Sequence, residues 1–256
     1  MTAGRTIARW ARVYADGYDL SGYIRSLGAM KQTFDAPSAA ALSDQVLNVL
    51  PGHGSLSIGT LTGFFDNTAT SGLHVVASGI GVKRTVMIPI GIQAAPAQGD
   101  PVFMGQFLQT GYEALPEEGG YVVASIPFED AEATAAHLAY TKPWGWLLHA
   151  KGAETGANTA VGIDDNGAAT ARGGYLCYQV FAGDGDATIS VQDAATNSDG
   201  SFAALSGATS GAIDCSTPSA GVIALGTTAT VRRYLRWQLA LDDATTVTFA
   251  LAFVRA

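Results

Sequence analysis

Apolar and polar residues alternate along several segments of this chain, as they do in a β-strand with one buried face. In the first half, Val86, Ile88 and Ile90 belong to one such series, and the segment from Tyr121 to Phe128 forms another. Only 14% of the residues are charged, and 31 are glycine. A helical bundle would need many more Glu, Lys and Arg side chains on its exposed faces. The sequence therefore predicts an all-β protein.

The clearest alternation lies near the C-terminal end of the chain. Two apolar series are separated by the polar segment from Asp242 to Thr245, and a short polar turn between alternating strands is typical of a β-hairpin. We therefore predict a hairpin in which the two apolar faces lie side by side. The first series is Val231, Leu235, Trp237, Leu239 and Leu241, and the second is Val247, Phe249, Leu251 and Phe253.

One helix is predicted in the alanine-rich stretch from Ala39 to Leu47. Pro37 and Ser38 precede this stretch as a helix start signal, and Pro51 follows it as a stop signal. We expect this helix to lie in the first half of an otherwise all-β chain.

A length of 256 residues suits one large domain or two modest domains. Each half of the chain closes with an alternating strand, so we predict two β-sandwich halves, residues 1–135 and 136–256, that meet near residues 132–142. The second half also contains two stretches rich in small and polar residues, 152–174 and 194–221. Their composition favours loops or insertions.

The net charge and the lack of long apolar runs disfavour several classes of protein. A formal net charge of −8 disfavours a general nucleic-acid-binding protein, because such a protein needs a basic face to neutralise phosphates. We expect neither a secretory signal nor a membrane-spanning helix, since no sufficiently long uncharged apolar run is present. The low content of charge leaves much of the surface neutral, and we expect other copies of the chain to cover it.

The sequence contains no pattern that predicts catalysis. His53, His74, His137 and His149 lie far apart, and none belongs to an H-E-x-x-H motif. The chain also has neither a G-x-S-x-G nucleophile elbow nor a G-x-x-x-x-G-K-[ST] phosphate loop. We predict no enzyme activity, no catalytic residue, no cofactor and no metal ligand.

Two acidic clusters resemble parts of calcium-binding loops. One begins at Asp164 and the other comprises Asp184 and Asp186. A complete loop needs ligands at alternate positions and a glutamate at the twelfth, and neither cluster supplies them. Polar turns are therefore favoured, and calcium binding at Asp184 and Asp186 is left open.

Two residue pairs are assigned structural roles. Cys177 and Cys215 are expected to be reduced and mostly buried, because no signal peptide indicates an oxidising compartment. Trp144 and Trp146 lie two residues apart, so on a strand they point the same way. We expect them to fill a core or an interface rather than to stack on a sugar ring.

Several segments, taken in order, resemble the tail tube proteins of bacteriophages with long, non-contractile tails. The pattern is a strand with a D-G-x-D-L-S-G turn, a short alanine-rich helix and a strand that ends in G-F-F-D. The resemblance covers about the first 70 and the last 30 residues. The segments that carry it are Arg12–Gly22, Phe34–Asp35, Ala39–Leu47, Leu56–Gly59, Gly63–Asp66 and Val231–Arg236.

The resemblance implies a structural virion protein that joins its copies into a ring with an inner β-barrel. Stacked rings would form the tail tube, through which phage DNA passes without specific binding. We expect either a trimeric ring with pseudo-sixfold symmetry, to which each chain contributes two tube lobes, or a hexameric ring with the second half outside. The resemblance also implies tape measure, tail terminator and tail tip proteins as partners, no membrane, a location in the virion tail, and assembly in the host cytoplasm.

Two other classes of protein remain open from the residues alone. A capsid decoration protein, or another virion surface protein, would share the β content, the small-residue loops and the acidity. A carbohydrate-binding β-sandwich would use exposed aromatic residues such as Trp144 or Trp146.

Three of the 14 basic residues fall within five positions, at Arg232, Arg233 and Arg236. Arginine offers a planar set of donors suited to carboxylates across an interface, so we expect these residues to contact a neighbouring copy. Replacing Arg232 and Arg236 by glutamate is then expected to leave the fold intact and to weaken ring formation. The candidate partners are Glu129, Asp130 and Glu132.

Overall fold

The computed structural model describes residues 6–36, 54–116, 120–130, 144–158, 160, 162–164 and 168–256. In these ranges the chain forms eighteen β-strands, one α-helix and two short 3-10 helices, which confirms the predicted all-β class. The helix predicted at residues 39–47 and the boundary predicted between residues 135 and 136 lie outside the described residues. The described helix, α1 (Leu73–Ala77), is a single short turn in the first half.

Ten of the described strands lie in the first half of the chain and eight in the second. The first ten are β1 (Tyr14–Ala15), β2 (Tyr18–Asp19), β3 (Ile24–Ser26), β4 (Lys31–Phe34), β5 (Gly54–Ser57), β6 (Gly59–Phe64), β7 (Val82–Pro89), β8 (Pro101–Gln109), β9 (Glu113–Pro116) and β10 (Val122–Asp130). The others are β11 (Trp144–Glu154), β12 (Ile163–Asp164), β13 (Gly174–Gly183), β14 (Asp186–Ala194), β15 (Ala203–Asp214), β16 (Ser219–Ala224), β17 (Tyr234–Leu241) and β18 (Val247–Arg255).

A twelve-stranded sheet runs through both halves of the chain. Its main path is β16-β13-β18-β11-β8-β10-β6-β3, with β7, β1 and β2 on the other side of β8 and β9 beside β10. Strand β8 connects the halves, because its first residues pair with β11 and its last residues pair with β10. A continuous hydrogen-bonded ladder therefore joins the two halves.

The second half is a β-sandwich. The four-stranded sheet β12-β17-β14-β15 packs against β11, β13, β16 and β18 of the large sheet. Apolar side chains from both sheets fill the space between them, among them Leu148, Leu176, Val180, Ile189, Val191, Leu235, Trp237, Phe249 and Leu251. A separate core in the first half contains Val13, Ile58, Leu61, Leu73, Ile88, Phe103, Phe107, Ile126 and Phe128.

The prediction of a C-terminal hairpin is wrong in its pairing, although both strands are present. Strand β17 pairs with β14 and β12, whereas β18 pairs with β11 and β13 in the other sheet. Leu235 and Phe249 therefore belong to one core between the sheets instead of lying side by side in one sheet. The opposite face of β18, which carries Ala250, Ala252 and Val254, is buried as well. Alternation identified the buried face of each strand, but it could not identify the neighbouring strand.

The expectation of loops over residues 194–221 is also wrong, since this stretch contains β15 and the start of β16. Strand β15 pairs with β14 from Ala203 to Asp214, with two shifts of register. Such irregularities break the period of two that reveals a strand in a sequence. The strand lies at the edge of its sheet, and only two of its side chains, Leu205 and Ala208, are buried.

Two short connections cross between the sheets of the sandwich at the same end. Asp184 and Gly185 join β13 to β14, and the segment after Asp242 joins β17 to β18. The Asp184 carboxylate accepts hydrogen bonds from the Thr245 hydroxyl and from the backbone N–H groups of Thr245 (2.8 Å) and Thr246 (3.0 Å). These hydrogen bonds lower the pKa of Asp184 to about 2. The carboxylate therefore ties the two connections together.

We expect Asp184→Ala to make the protein less sensitive to acid. The pKa of Asp184 is lower in the folded chain than its ordinary 3.8, so its stabilising contribution is complete above that value and is lost as the pH falls towards about 2. Urea unfolding at about pH 5 and about pH 2.5 should show a smaller loss of stability in the variant than in the wild type. Thr245→Val keeps both backbone donors, so its loss of stability should be intermediate between those of the wild type and Asp184→Ala. Equal losses in all three proteins would contradict this role.

The turn between β1 and β2 inserts into the second half. The backbone N–H of Gly17 donates to the side-chain oxygen of Gln179 (2.7 Å), and the Gln179 amide donates to the carbonyl of Thr85 (2.9 Å). Gln179 is completely buried. Gly17 has a φ of +84°, and a Cβ at this position would overlap the backbone nitrogen of Ser219 and the backbone oxygen of Val180. We call this turn the β1–β2 lock. Position 17 within it therefore accepts only glycine.

A third hydrophobic cluster contains residues of both halves. Tyr14, Met87 and Met104 of the first half pack with residues of β11, β13 and β18. The Lys151 ammonium also pairs with the Asp19 carboxylate across the same junction, at 2.8 Å. The two halves are thus held together by apolar packing, a buried amide and an ion pair.

Cys177 and Cys215 are both free and buried, as predicted. Burial raises the pKa of the Cys177 thiol, and it raises the pKa of Cys215 to about 11. Both thiols are therefore protonated near neutral pH, and they pack as small apolar side chains.

Candidate assembly surfaces

Four strands of the first half form a strip with an outer strand on each side. Ile24 of β3 lies opposite Gly63 of β6, Gly63 lies opposite Ala124 of β10, and Ala124 lies opposite Ala114 of β9. Neighbouring strands are about 4.8 Å apart, so the row spans about 14 Å. Within the described residues, no further strand pairs with the outer side of β3 or of β9 along this row. An edge strand of this kind is a template for pairing with another chain.

An exposed apolar cluster lies at the β9 side of this strip. Phe64 ends β6, Leu115 lies in β9, and Tyr121 directly precedes β10. The side chains of Leu115 and Tyr121 are 52% and 75% exposed, and the ring of Tyr121 meets the ring of Phe64 edge to face at 5.3 Å. Neighbouring apolar side chains that face water together mark an interaction surface more often than single ones do. We call these three residues the apolar edge cluster.

The two N-terminal motifs that resemble tail tube proteins meet beside this cluster. The D-G-Y-D-L-S-G segment forms the β1–β2 lock and leads into Tyr23, whose carbonyl accepts a hydrogen bond from the backbone N–H of Phe64 (2.8 Å). The next residue of the G-F-F-D motif, Phe65, donates its backbone N–H to the carbonyl of Val122 (2.8 Å). Segments separated by about forty residues in the sequence thus build one region of the first half.

A groove of about 300 Å³ lies between the segments Ala8–Val13 and Ile24–Leu27. Arg9, Arg12 and Arg25 line it, and its lining contains no carboxylate. We call it the arginine groove. No sequence motif predicts this groove, because its arginines come from two separated segments. A concentration of arginine in the first 25 residues was the one signal available.

The structure gives all three arginines of the C-terminal cluster a carboxylate partner in the same chain. The backbone N–H and the guanidinium of Arg232 donate three hydrogen bonds to the buried Asp193 (2.7–2.9 Å). Arg233 pairs with Asp164 at 2.5 Å. Arg236, which is itself buried, pairs with Asp199 at 2.5 Å, donates to Gln192 at 2.8 Å and lies over the Phe202 ring.

The acidic residues expected to meet these arginines are only partly described. Glu129 is exposed near the end of β10, the side chain of Asp130 is not described, and Glu132 lies outside the described residues. A single chain contains no contact between copies, so pairing of these carboxylates with the arginines of a neighbour stays a prediction. Pairing between copies would have to compete with the ion pairs that the three arginines form inside the chain.

The aromatic and histidine residues take structural positions. Trp144 is 41% exposed and meets Phe103 edge to face, and Trp146 is half-buried on the same strand. His149 is buried, stacks on the Phe249 ring at 4.2 Å and contacts the Glu154 carboxylate at 2.9 Å. His53 and His137 lie outside the described residues.

The described residues show neither a metal-binding group nor a membrane-spanning helix. They hold no group of three or more His, Cys, Asp and Glu side chains that could bind a metal ion. None of their helices has the length and apolar character needed to cross a membrane.

No family model and no curated protein matches the sequence. The solved structures that are similar to it include two described here. One is a chain from the virion of a native gene transfer agent particle, with 18% identity and a TM-score of 0.38 over 50% of this chain and 96% of that chain. The other is the SPP1 Dit protein, a paradigm of the hub adsorption apparatus in phages that infect Gram-positive bacteria, with 9% identity and a TM-score of 0.33 over 95% and 98%. Because both TM-scores lie below 0.5, neither similarity establishes a shared fold.

Proposed function

We propose that this chain is a structural virion protein whose copies assemble into stacked rings and form the tube of a phage tail. The observation that carries the proposal is the apolar edge cluster beside an unpaired edge strand, in a region built from the two N-terminal tail-tube-like motifs. An isolated molecule would leave Leu115 and Tyr121 in water, and a second copy placed against this edge would bury them. Burial of apolar surface is the main driving force of most protein association.

The geometry of the strip also suits a ring. Its two outer strands lie on opposite sides of one sheet, so an edge of one copy can meet the other edge of the next. A contact between two different surfaces is head-to-tail, and it closes into a ring when the rotation between copies fits. In this proposal phage DNA passes through the ring without specific binding, since a chain with a net charge of −8 repels it. Tape measure, tail terminator and tail tip proteins are the further partners that the resemblance implies.

Negative-stain microscopy of the purified protein at increasing concentration tests the proposal. Stacked rings or tubes are the expected result. Closed caps would favour a capsid decoration protein, and monomers at every concentration would favour a carbohydrate-binding sandwich. Either of these results would end the proposal of a tail tube.

A variant of the apolar edge cluster connects the proposal to its surface. We expect Leu115→Glu with Tyr121→Ser to remain folded and to stay monomeric, because both side chains are exposed in the single chain. Ile92→Glu is the matched control, since Ile92 is 48% exposed outside the cluster. Sedimentation velocity gives the fraction assembled, and circular dichroism verifies the fold. Normal assembly of the double variant would show that another surface joins the copies.

A further inference from the structure

The arginine groove differs from four other arginine sites of the described residues. Arg84, Arg232, Arg233 and Arg236 each form an ion pair with an aspartate of the same chain. The guanidinium of Arg9 instead lies over its neighbouring indole ring at 4.2 Å, outside any ion pair of the described residues.

Arg12 also forms no ion pair within the described residues. Its guanidinium donates to the backbone carbonyls of Arg9 (3.1 Å) and Ala11 (2.9 Å), and among the described residues it meets no carboxylate. The chain has 22 acidic and 14 basic residues, yet within its described part these two neighbouring arginines form no ion pair with a carboxylate. Arginine prefers planar, doubly hydrogen-bonded anions such as carboxylates and phosphates. The groove is therefore suited to an anionic group supplied from outside the chain.

We propose that the arginine groove receives strand β9 of a second copy, with Glu113 against Arg9 and Arg12. The proposal rests on the proposed function, since it names the contact that joins neighbouring copies in the ring. Glu113 is exposed and forms no ion pair within the described residues. Leu115, two residues further along β9, is the apolar member of the same edge.

The groove and strand β9 also match in apolar character and in position. Val13, Ile24 and Leu27 contribute apolar atoms to the groove, and they offer Leu115 a surface on which to pack. Ile24 and Ala114 are the two ends of the four-residue row across the strip. The groove and β9 therefore lie on opposite edges of one sheet, and one copy cannot satisfy both with itself.

A carboxylate of another copy fits the groove better than the phosphates of DNA. Binding to a duplex relies on a broad basic surface that neutralises several phosphates. The groove instead has three arginines, apolar walls and a volume of about 300 Å³. The chain around it has a net charge of −8, which weakens the approach of a long polyanion.

Complementary charge reversal tests this contact in the full chain. The groove variant is Arg9→Glu with Arg12→Glu, and the edge variant is Glu113→Lys. Each variant alone places like charges at every contact, and we expect each to assemble about tenfold more weakly than the wild type or worse. In a ring of six copies the two variants of a 1:1 mixture can alternate, which places opposite charges at every contact, so assembly should recover. In a ring of three copies one contact keeps like charges, so recovery should be partial. Arg172→Glu, which changes an exposed arginine outside the groove, is the control and should assemble normally.

Sedimentation velocity and negative-stain microscopy give the outcomes. Recovery in the mixture supports the contact. Normal assembly of each variant alone, or a mixture no better than its components, overturns it and leaves the proposed function standing, whereas a monomeric wild type overturns both. Loss of duplex DNA binding in the groove variant, with assembly unchanged, would identify a phosphate site and also overturn it. If the groove variant is unfolded by circular dichroism, Arg9→Glu alone replaces it, because its guanidinium contacts only a neighbouring ring.

Discussion

Gly17→Val should destabilise the protein by about 3 kcal/mol or more, the largest effect that we expect from a single substitution. A β-branched residue at a φ of +84° costs about 1–2 kcal/mol. Overpacking adds about 1–3 kcal/mol, because the new Cβ would overlap the backbone of Ser219 and Val180 and neither of these can rotate away. The β1–β2 lock would withdraw from the second half. The buried Gln179 side chain would then lose the hydrogen bond that it accepts from the backbone N–H of residue 17.

Gly22→Val is the matched control for this prediction. Gly22 is exposed, has no neighbour within 4 Å of an added Cβ and does not have a positive φ. Thermal unfolding should show a decrease of about 10 °C or more for Gly17→Val and a small change for Gly22→Val. Equal melting temperatures in the two variants would show that the turn is not held in the second half.

Arg232→Glu should destabilise the fold by about 3 kcal/mol, because the buried Asp193 carboxylate would lose its cationic partner and keep only the hydrogen bond from the backbone N–H of residue 232. The new carboxylate would also face Asp193 in place of a guanidinium that now donates two hydrogen bonds to it. This differs from the expectation drawn from the sequence, in which the same substitution spares the fold. The reason is that Asp193 lies 39 positions away on β14, and only the folded chain brings the two residues together.

Arg233→Glu separates this effect from a general effect of charge. Arg233 is 52% exposed, and its partner Asp164 is partly exposed as well, so the substitution should cost about 1 kcal/mol or less. Urea unfolding of both variants measures the difference. If the two substitutions cost the same, the ion pair of Arg232 with Asp193 contributes no more than a surface pair.

The sequence predicted the class of fold and many buried residues, but not which strands are neighbours. Alternation over Tyr121–Phe128 correctly marked Ala124, Ile126 and Phe128 as core residues. It also located β17 and β18, yet it placed them in one hairpin when they belong to two sheets. The alternation of side chains is a local property, whereas strand pairing depends on contacts between distant segments.

The candidate surfaces could be predicted only in part for a similar reason. The motifs around Asp16 and Phe64 pointed to the first half, where the apolar edge cluster lies. The arginine groove comes from segments that meet only after folding. Arg232 and Arg236 were prominent in the sequence because they are close together, but their partners are distributed over other strands and loops.

An averaged end-on view of the assembled particle by electron microscopy shows directly whether the chain forms a ring through its first half. We expect a ring with an open central channel and with the first half of each chain in contact with the next copy. Three copies per ring would indicate that both halves contribute tube lobes, and six would place the second half outside. Particles without a channel, or copies joined only through the second half, would contradict the account.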